Sequence, residues 1–272
     1  MTPAPDDDRG SGDSGSSEQE PRRPTAQLIY ERVRKAGSDE LERPRKALAF
    51  SGLFAGFTVG ATPLLLALAL ATVEGGSQKF VAALVYPAGF IAVILGRAQL
   101  FTENTLYPVV TSFEERRAIP PTARLWAIVF AANIVGAVLF VLLATETSAL
   151  PPAVDAELRD LGQKAAGASF APVFWSAILA GWLLALVAWL VEAAETAIGQ
   201  FFTIWLLTIP IALGDFDHCV ATTHEVLTAL FDGAVSFGSA LGWLGTATLG
   251  NVIGGVLIVA LINYGQVRPS SE

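Results

Sequence analysis

Six long apolar stretches, separated by short polar ones, run through this chain at about 47–72, 80–110, 125–145, 170–191, 197–231 and 241–267. An α-helix needs roughly 20 apolar residues to cross the hydrocarbon core of a bilayer. The second and fifth stretches exceed that length and carry polar residues at depth. These are Leu100-Phe101-Thr102-Glu103-Asn104 in one and Asp215-Phe216-Asp217-His218 in the other. Each is read as two half-helices joined by non-helical backbone, which a membrane tolerates only where protein buries it or water lines it. In the first stretch Gly52, Gly56 and Gly60 fall on one helical face, and Gly250 and Gly254 do the same in the sixth. Such small-residue faces predict close helix–helix contacts.

The pattern repeats. Asn133-Ile134-Val135-Gly136 recurs as Asn251-Val252-Ile253-Gly254, an offset of 118 residues (251 − 133) that also carries Leu100 onto His218. The expected fold is therefore an all-α membrane protein of six transmembrane helices in two inverted three-helix repeats, with helices 2 and 5 broken. Paired interrupted segments point to a substrate site near the bilayer midplane of a transport protein.

Composition sharpens this reading. Hydrophobic residues make up 53% of the chain and charged residues 15%, against about a quarter charged in a soluble domain. A mean hydropathy of +0.52 and a pI near 4.8 leave no basic face for nucleic acid. One cysteine, Cys219, excludes an intrachain disulfide framework and Cys-type metal clusters; no cofactor and no metal are expected. Residues 1–24 have almost nothing to bury and are expected to be disordered. Residues 25–46 are expected to form a cytoplasmic amphipathic segment: Leu28, Ile29 and Val33 share a helical face, Pro44 ends any helix, and Arg43, Arg45 and Lys46 can meet lipid headgroups, or the stretch is a solvated linker. The channel domain is placed at 47–267 and a short cytoplasmic tail at 268–272. Ten Lys/Arg flank one side of the spans (six from Arg32 to Lys46, then Arg116, Arg117, Arg124 and Arg268) and three the other (Lys79, Arg159, Lys164). That imbalance places both termini in the cytoplasm.

His218 is the first candidate for chemistry. An ionisable residue at membrane depth is costly and faces a pathway or a partner by default. Histidine titrates near neutrality and can lend a proton to a passing weak-acid anion; alternatively it is a neutral ring bonded to backbone bared by the break. Thr102 is the second: its hydroxyl can replace water around a small anion, or cap the half-helix opening near Asn104. Phe90, Leu100 and Phe101 can form a hydrophobic constriction or pack as ordinary helix residues. Asn133 and Asn251 are read as braces, since an amide satisfies both a stray N–H and a stray C=O. Arg97, Glu103, Asp217, His224 and Glu225 are charged candidates for the pore lining; Arg97 and Glu103 can pair across the break. These groups form either an internal salt-bridge network or an acidic path favouring cations.

At these residues the chain resembles the formate/nitrite transporter family over about 47–267. The likeness rests on the glycine-rich first helix, Leu100-Phe101-Thr102, Asn133-Ile134-Val135-Gly136, Phe216-Asp217-His218 and Gly250-Asn251. It implies an aquaporin-like bundle in a bacterial inner membrane, assembled as a homopentamer with one pore per protomer. It also implies that Thr102 faces His218 between two constrictions. Leu100, Phe101 and Phe90 match the inner one. Tyr86 stands at an outer position where an apolar aromatic is more usual. The family asparagine of helix 4 falls on Gly181, its outer aromatic on helix 5 near Pro210, and its lysine on Lys164 after a one-residue shift.

The expected function is a passive or proton-coupled channel for a small monovalent weak-acid anion such as formate or nitrite. One rival is a cation or small neutral-solute channel on the same scaffold. The other is a non-conducting membrane scaffold whose N-terminal segment recruits a partner. An enzyme is not expected, because no nucleophile–base spacing stands out.

Overall fold

A computed structural model of the chain describes residues 23–267 apart from Ser148. The tail calculated from composition over 1–24 and the one at 268–272 thus fall almost wholly outside the described residues. All regular elements among the described residues are helical.

The first helix, α1 (Ala26–Glu42), is longer than its apolar face suggested. Thr25 opens it by accepting the Leu28 N–H at 3.2 Å, and the chain leaves the helix before Pro44. The first apolar stretch is two helices, α2 (Arg45–Thr58) and α3 (Ala61–Thr72). Pro63 has no N–H to offer the Val59 carbonyl, which takes that of Thr62 instead at 2.9 Å, and the helix jogs there.

The second stretch gives α4 (Gln78–Val85), α5 (Ala88–Leu95), a 3₁₀ turn at Glu103–Thr105 and α6 (Tyr107–Glu114). The third follows a second 3₁₀ turn as α7 (Ile119–Glu146). Then comes α8 (Pro152–Gly167), which the length of apolar runs did not anticipate because it is too polar to span. Its buried residues Val154, Leu158, Gly162 and Ala166 recur every four positions, so helical periodicity would have found it. The fourth and fifth stretches supply α9 (Phe170–Ala193), α10 (Ala197–Leu213) and α11 (Ala221–Phe231). The sixth gives α12 (Phe237–Ile253), a π-helical stretch Gly254–Leu261 and α13 (Ile262–Val267). Among the described residues, five helical spans are long and apolar enough to cross a membrane, and α10 is a shorter apolar helix of 17 residues. Phe50, Phe54, Trp175, Phe202 and Leu206 stand exposed on the outside, where lipid or a neighbouring subunit would cover them.

Two helix pairs carry the bundle, α2 along α7 and α9 along α12. At Gly56 an added methyl would meet the backbone of Asn133, and at Gly181 it would meet the backbone of Asn251. Glycine at 181 is therefore a helix contact, and no asparagine can stand there without pushing the helices apart. In both pairs the absence of side chains brings backbone against backbone, so that each asparagine enters the protein interior at the level of a break.

Candidate functional site: a buried Thr–His pair between two cavities

Both breaks are built alike. α5 ends at Gly96 and the next residue, Arg97, turns left-handed (φ 55°); α10 ends at Gly214 and Asp215 does the same (φ 50°). The Ala98 N–H then reaches back to Val93 O (3.0 Å), and the Phe216 N–H to Ile211 O (2.9 Å). This six-to-one closure satisfies the last carbonyls of each half-helix. Non-glycine residues rarely adopt that conformation, and both positions lie 118 residues apart (215 − 97).

The backbone beyond each turn is held by an asparagine. Asn133 Oδ1 accepts the Phe101 N–H at 2.9 Å, while its amide donates to Gly52 O (2.8 Å) and Gln99 O (2.9 Å). Asn251 Oδ1 accepts the Cys219 N–H at 2.8 Å and its amide donates to Ala177 O (2.7 Å) and Asp217 O (2.9 Å). Both side chains are fully buried. Buried backbone without such partners would be costly in a membrane.

These turns bring Thr102 and His218 together. Thr102 Oγ1 lies 2.9 Å from His218 Nε2, and both residues are completely buried. His218 Nδ1 accepts the backbone N–H groups of Val220 (3.2 Å) and Ala221 (2.9 Å) at the start of α11. A ring nitrogen that accepts carries no proton, so the ring proton sits on Nε2 and is donated to Thr102. The ring thus caps its own half-helix. Thr102 opens the 3₁₀ turn without a side-chain capping bond, because its hydroxyl is turned to the histidine. The Phe90 ring stands edge-on to His218, with centroids 5.2 Å apart, and Tyr86 packs on Phe90.

A cavity approaches this pair from each side. One, about 60 Å³, is walled by Ala36 and Glu40 of α1, with Arg97, Leu100, Glu103 and Glu192. The other, about 290 Å³, includes Tyr86, Lys164, Asp215, Asp217 and Glu225. Thr102 and His218 line neither, so side chains seal them from both. Around the larger cavity Asp215 accepts from Lys164 (2.7 Å) and Lys79 (3.1 Å). Asp217 accepts from Trp243 Nε1 (2.7 Å) and from Ser176. Lys164 thus stands at the mouth beside the second break, while Pro210 lies inside α10 and its neighbours Ile211 and Ala212 face the cavity.

Two candidates line neither cavity, and a third pairs otherwise than expected. Arg97 stands in the wall of the smaller cavity but does not pair with Glu103; its guanidinium lies 3.8 Å from Glu192. His224 lines neither cavity. Its Nε2 meets Gly56 O at 2.9 Å, its Nδ1 meets the Val220 and Ala221 carbonyls, and its ring lies edge-on to Phe140. That makes it a tie between α11 and the α2–α7 pair. Phe101 packs edge-on against Trp126 and Phe130 of α7 and faces neither cavity. Sequence reasoning missed Glu40 and Glu192 as cavity walls, since nothing local joins them to the breaks.

A bundle of membrane-crossing helices with two opposed cavities converging on one buried polar pair defines a membrane transport protein, not an enzyme. The chain belongs to the formate/nitrite transporter family, whose model matches residues 27–265. It is 34% identical over 251 residues to the "Inner membrane protein YfdC" of Escherichia coli, covering 89% of this chain and 79% of that one. It is 30% identical over 234 residues to a "Probable formate transporter" of Methanothermobacter thermautotrophicus, covering 80% and 83%. Among solved structures it superposes on an "FNT family ion channel" with a TM-score of 0.76 at 18% identity, covering 88% of this chain and 99% of that one. A "Pentameric formate channel with formate bound" gives a TM-score of 0.67 at 18% identity, covering 86% and 98%.

Proposed function

We propose that the chain forms a pore for a small monovalent weak-acid anion of the formate or nitrite type, in a homopentamer with one pore per protomer. The six apolar stretches act as six spans in two inverted repeats, and both termini face the cytoplasm of a bacterial inner membrane. One observation carries the reading: two cavities end on either side of a sealed pair in which His218 Nε2–H donates to Thr102 Oγ1. The formate channel and probable formate transporter it resembles, and the inner-membrane relative, support the substrate class and the compartment.

The anion enters past the Lys164–Asp215 pair on one side and the Arg97–Glu192 pair on the other. A bare charge cannot cross the apolar stretch at Phe90 and Leu100 without a large desolvation penalty. The permeant therefore passes neutral, inserting between Thr102 and His218 and taking the Nε2–H and the threonine O–H as hydrogen-bond donors. His218 with one proton can donate a hydrogen bond, but giving that proton away would leave an imidazolate. The histidine is accordingly a positioning donor, which revises the idea of a ring that lends its proton.

Flux of formate and nitrite into liposomes holding the purified protein, against K⁺ and Na⁺, tests this. Anion flux that rises as pH falls and disappears in Thr102→Ala supports it. Cation flux blocked by Glu103→Gln would replace it with a cation channel, for which the buried carboxylates of both cavities are the specific observation.

A further inference from the structure

Each cavity holds one glutamate in an unusual state. Glu103 is 8% exposed and Glu225 7% exposed, and each lines its cavity. Among the described residues no hydrogen-bond donor and no ion-pair partner reaches either carboxylate. Other acids at the breaks differ: Asp215 holds two lysines and Asp217 holds Trp243 and Ser176. A buried carboxylate without a partner is costly, which sets these two apart from the paired acids around them.

Their surroundings agree. Glu103 shares the smaller cavity with Glu40 of α1, Glu192 of α9, Tyr107 of α6 and Arg97, whose guanidinium is directed to Glu192. Glu225 shares the larger one with Tyr86, Asp215, Asp217 and Lys164 of α8, whose ammonium is directed to Asp215. In both places the local cation is already committed to another acid. Between the two glutamates lies His218, whose Nδ1 is occupied by two backbone N–H groups and has no place for a second proton.

We propose that Glu103 and Glu225 are the proton carriers of the permeation path, one at each end of the sealed Thr102–His218 segment. This rests on the weak-acid pore described above. In the forward step the carboxylic O–H of one glutamic acid breaks and its proton passes to an oxygen of the anion. With formate, the product is neutral formic acid and a glutamate carboxylate. Hydronium from the bulk on that side, reaching the cavity, reprotonates that glutamate. On the far side the other glutamic acid first releases its proton to cavity water as hydronium. Its carboxylate then takes the proton from formic acid and formate leaves, so one proton and one anion cross per cycle. A carboxyl suits this exchange because the same group can donate the proton as an acid and accept it as a carboxylate.

The test uses the full chain in proteoliposomes, with labelled formate uptake and a pH dye trapped inside to follow protons. Glu103→Gln, Glu225→Gln and the double variant keep the side-chain volume while removing the exchangeable proton. Near neutral pH each variant is expected to slow formate uptake by at least about tenfold, with the accompanying proton uptake. At a pH near formate's own pKa the solution supplies formic acid directly, and uptake by the variants should return toward wild type. That return separates proton supply from a damaged fold, and an Asp in place of each Glu should restore part of the neutral-pH rate. A double variant with the wild-type pH profile would overturn the proposal, and so would loss that persists at low pH. Absence of formate and nitrite flux in the wild type at every pH would instead sink the weak-acid pore itself.

Discussion

Arg97 and Asp215 turn left-handed at the same step of two helix breaks, at φ 55° and 50°. The first is drawn to Glu192 and the second to Lys164 and Lys79. Identical backbone therefore presents a cation to one cavity and an anion to the other. A left-handed non-glycine residue costs about 1–2 kcal/mol. Arg97→Gly should relieve that strain and raise the unfolding temperature in detergent, provided the weak exposed pair to Glu192 contributes little.

Asp215→Asn keeps the conformation, which asparagine tolerates, but releases two lysines at the mouth of the larger cavity. Anion uptake from that side should quicken at low ionic strength, and Lys164→Gln should slow it. Both effects should fade near about 1 M salt, where the Debye length falls to roughly 3 Å. Initial rates across a salt series would decide; rates that ignore salt would mean these groups do not steer the permeant.

Asn133→Ala and Asn251→Ala each remove three buried hydrogen bonds and strand backbone groups that have no water to turn to. A loss of about 2–4 kcal/mol is expected for each, at the heavy end of single substitutions. Detergent thermal denaturation measures it. Equal losses at both sites would show that the two halves are held by the same device.

The tautomer of His218 can be read directly. Histidine-labelled protein should give ¹⁵N signals for one ring with its proton on Nε2 and a bare, hydrogen-bonded Nδ1. Thr102→Val should shift the Nε2 signal by taking its acceptor away and should cost about 1–3 kcal/mol of stability. Thr102→Ser should leave both nearly unchanged. A protonated Nδ1 would contradict the bonds from Val220 and Ala221.

Gly181→Ala tests the helix contact in the second half. The new methyl would press on the Asn251 backbone, so α9 and α12 must separate and the asparagine must leave its three partners. Folded yield and thermal stability should fall well beyond the propensity gain of about 1 kcal/mol that alanine brings to a helix. Gly245→Ala on α12, where an added methyl meets nothing, should not show that loss.

The apolar runs and the 118-residue offset by themselves determined a helical membrane bundle, the places where two helices stop, and the residues gathered at those stops. Hydrophobic length and polar interruption are local quantities, and bilayer thickness turns them into structure. Thr102, His218, Asn133 and Asn251 could be singled out because each lies at a break or at its repeat. What α11 presents to whom could not be read that way. His224 and Glu225 are neighbours in sequence, yet one is tied to Gly56 and the other faces the cavity. Adjacent helical residues point about 100° apart, and the break frees α11 from the phase of α10. Only the packing of α11 against α7 and α8 sets that phase. The same holds for Lys164, brought to Asp215 by a helix that no apolar run announced, and for Glu40 and Glu192, which reach Glu103's cavity from helices remote in sequence. Among the described residues, tertiary structure alone decided which acid has a partner and which has none.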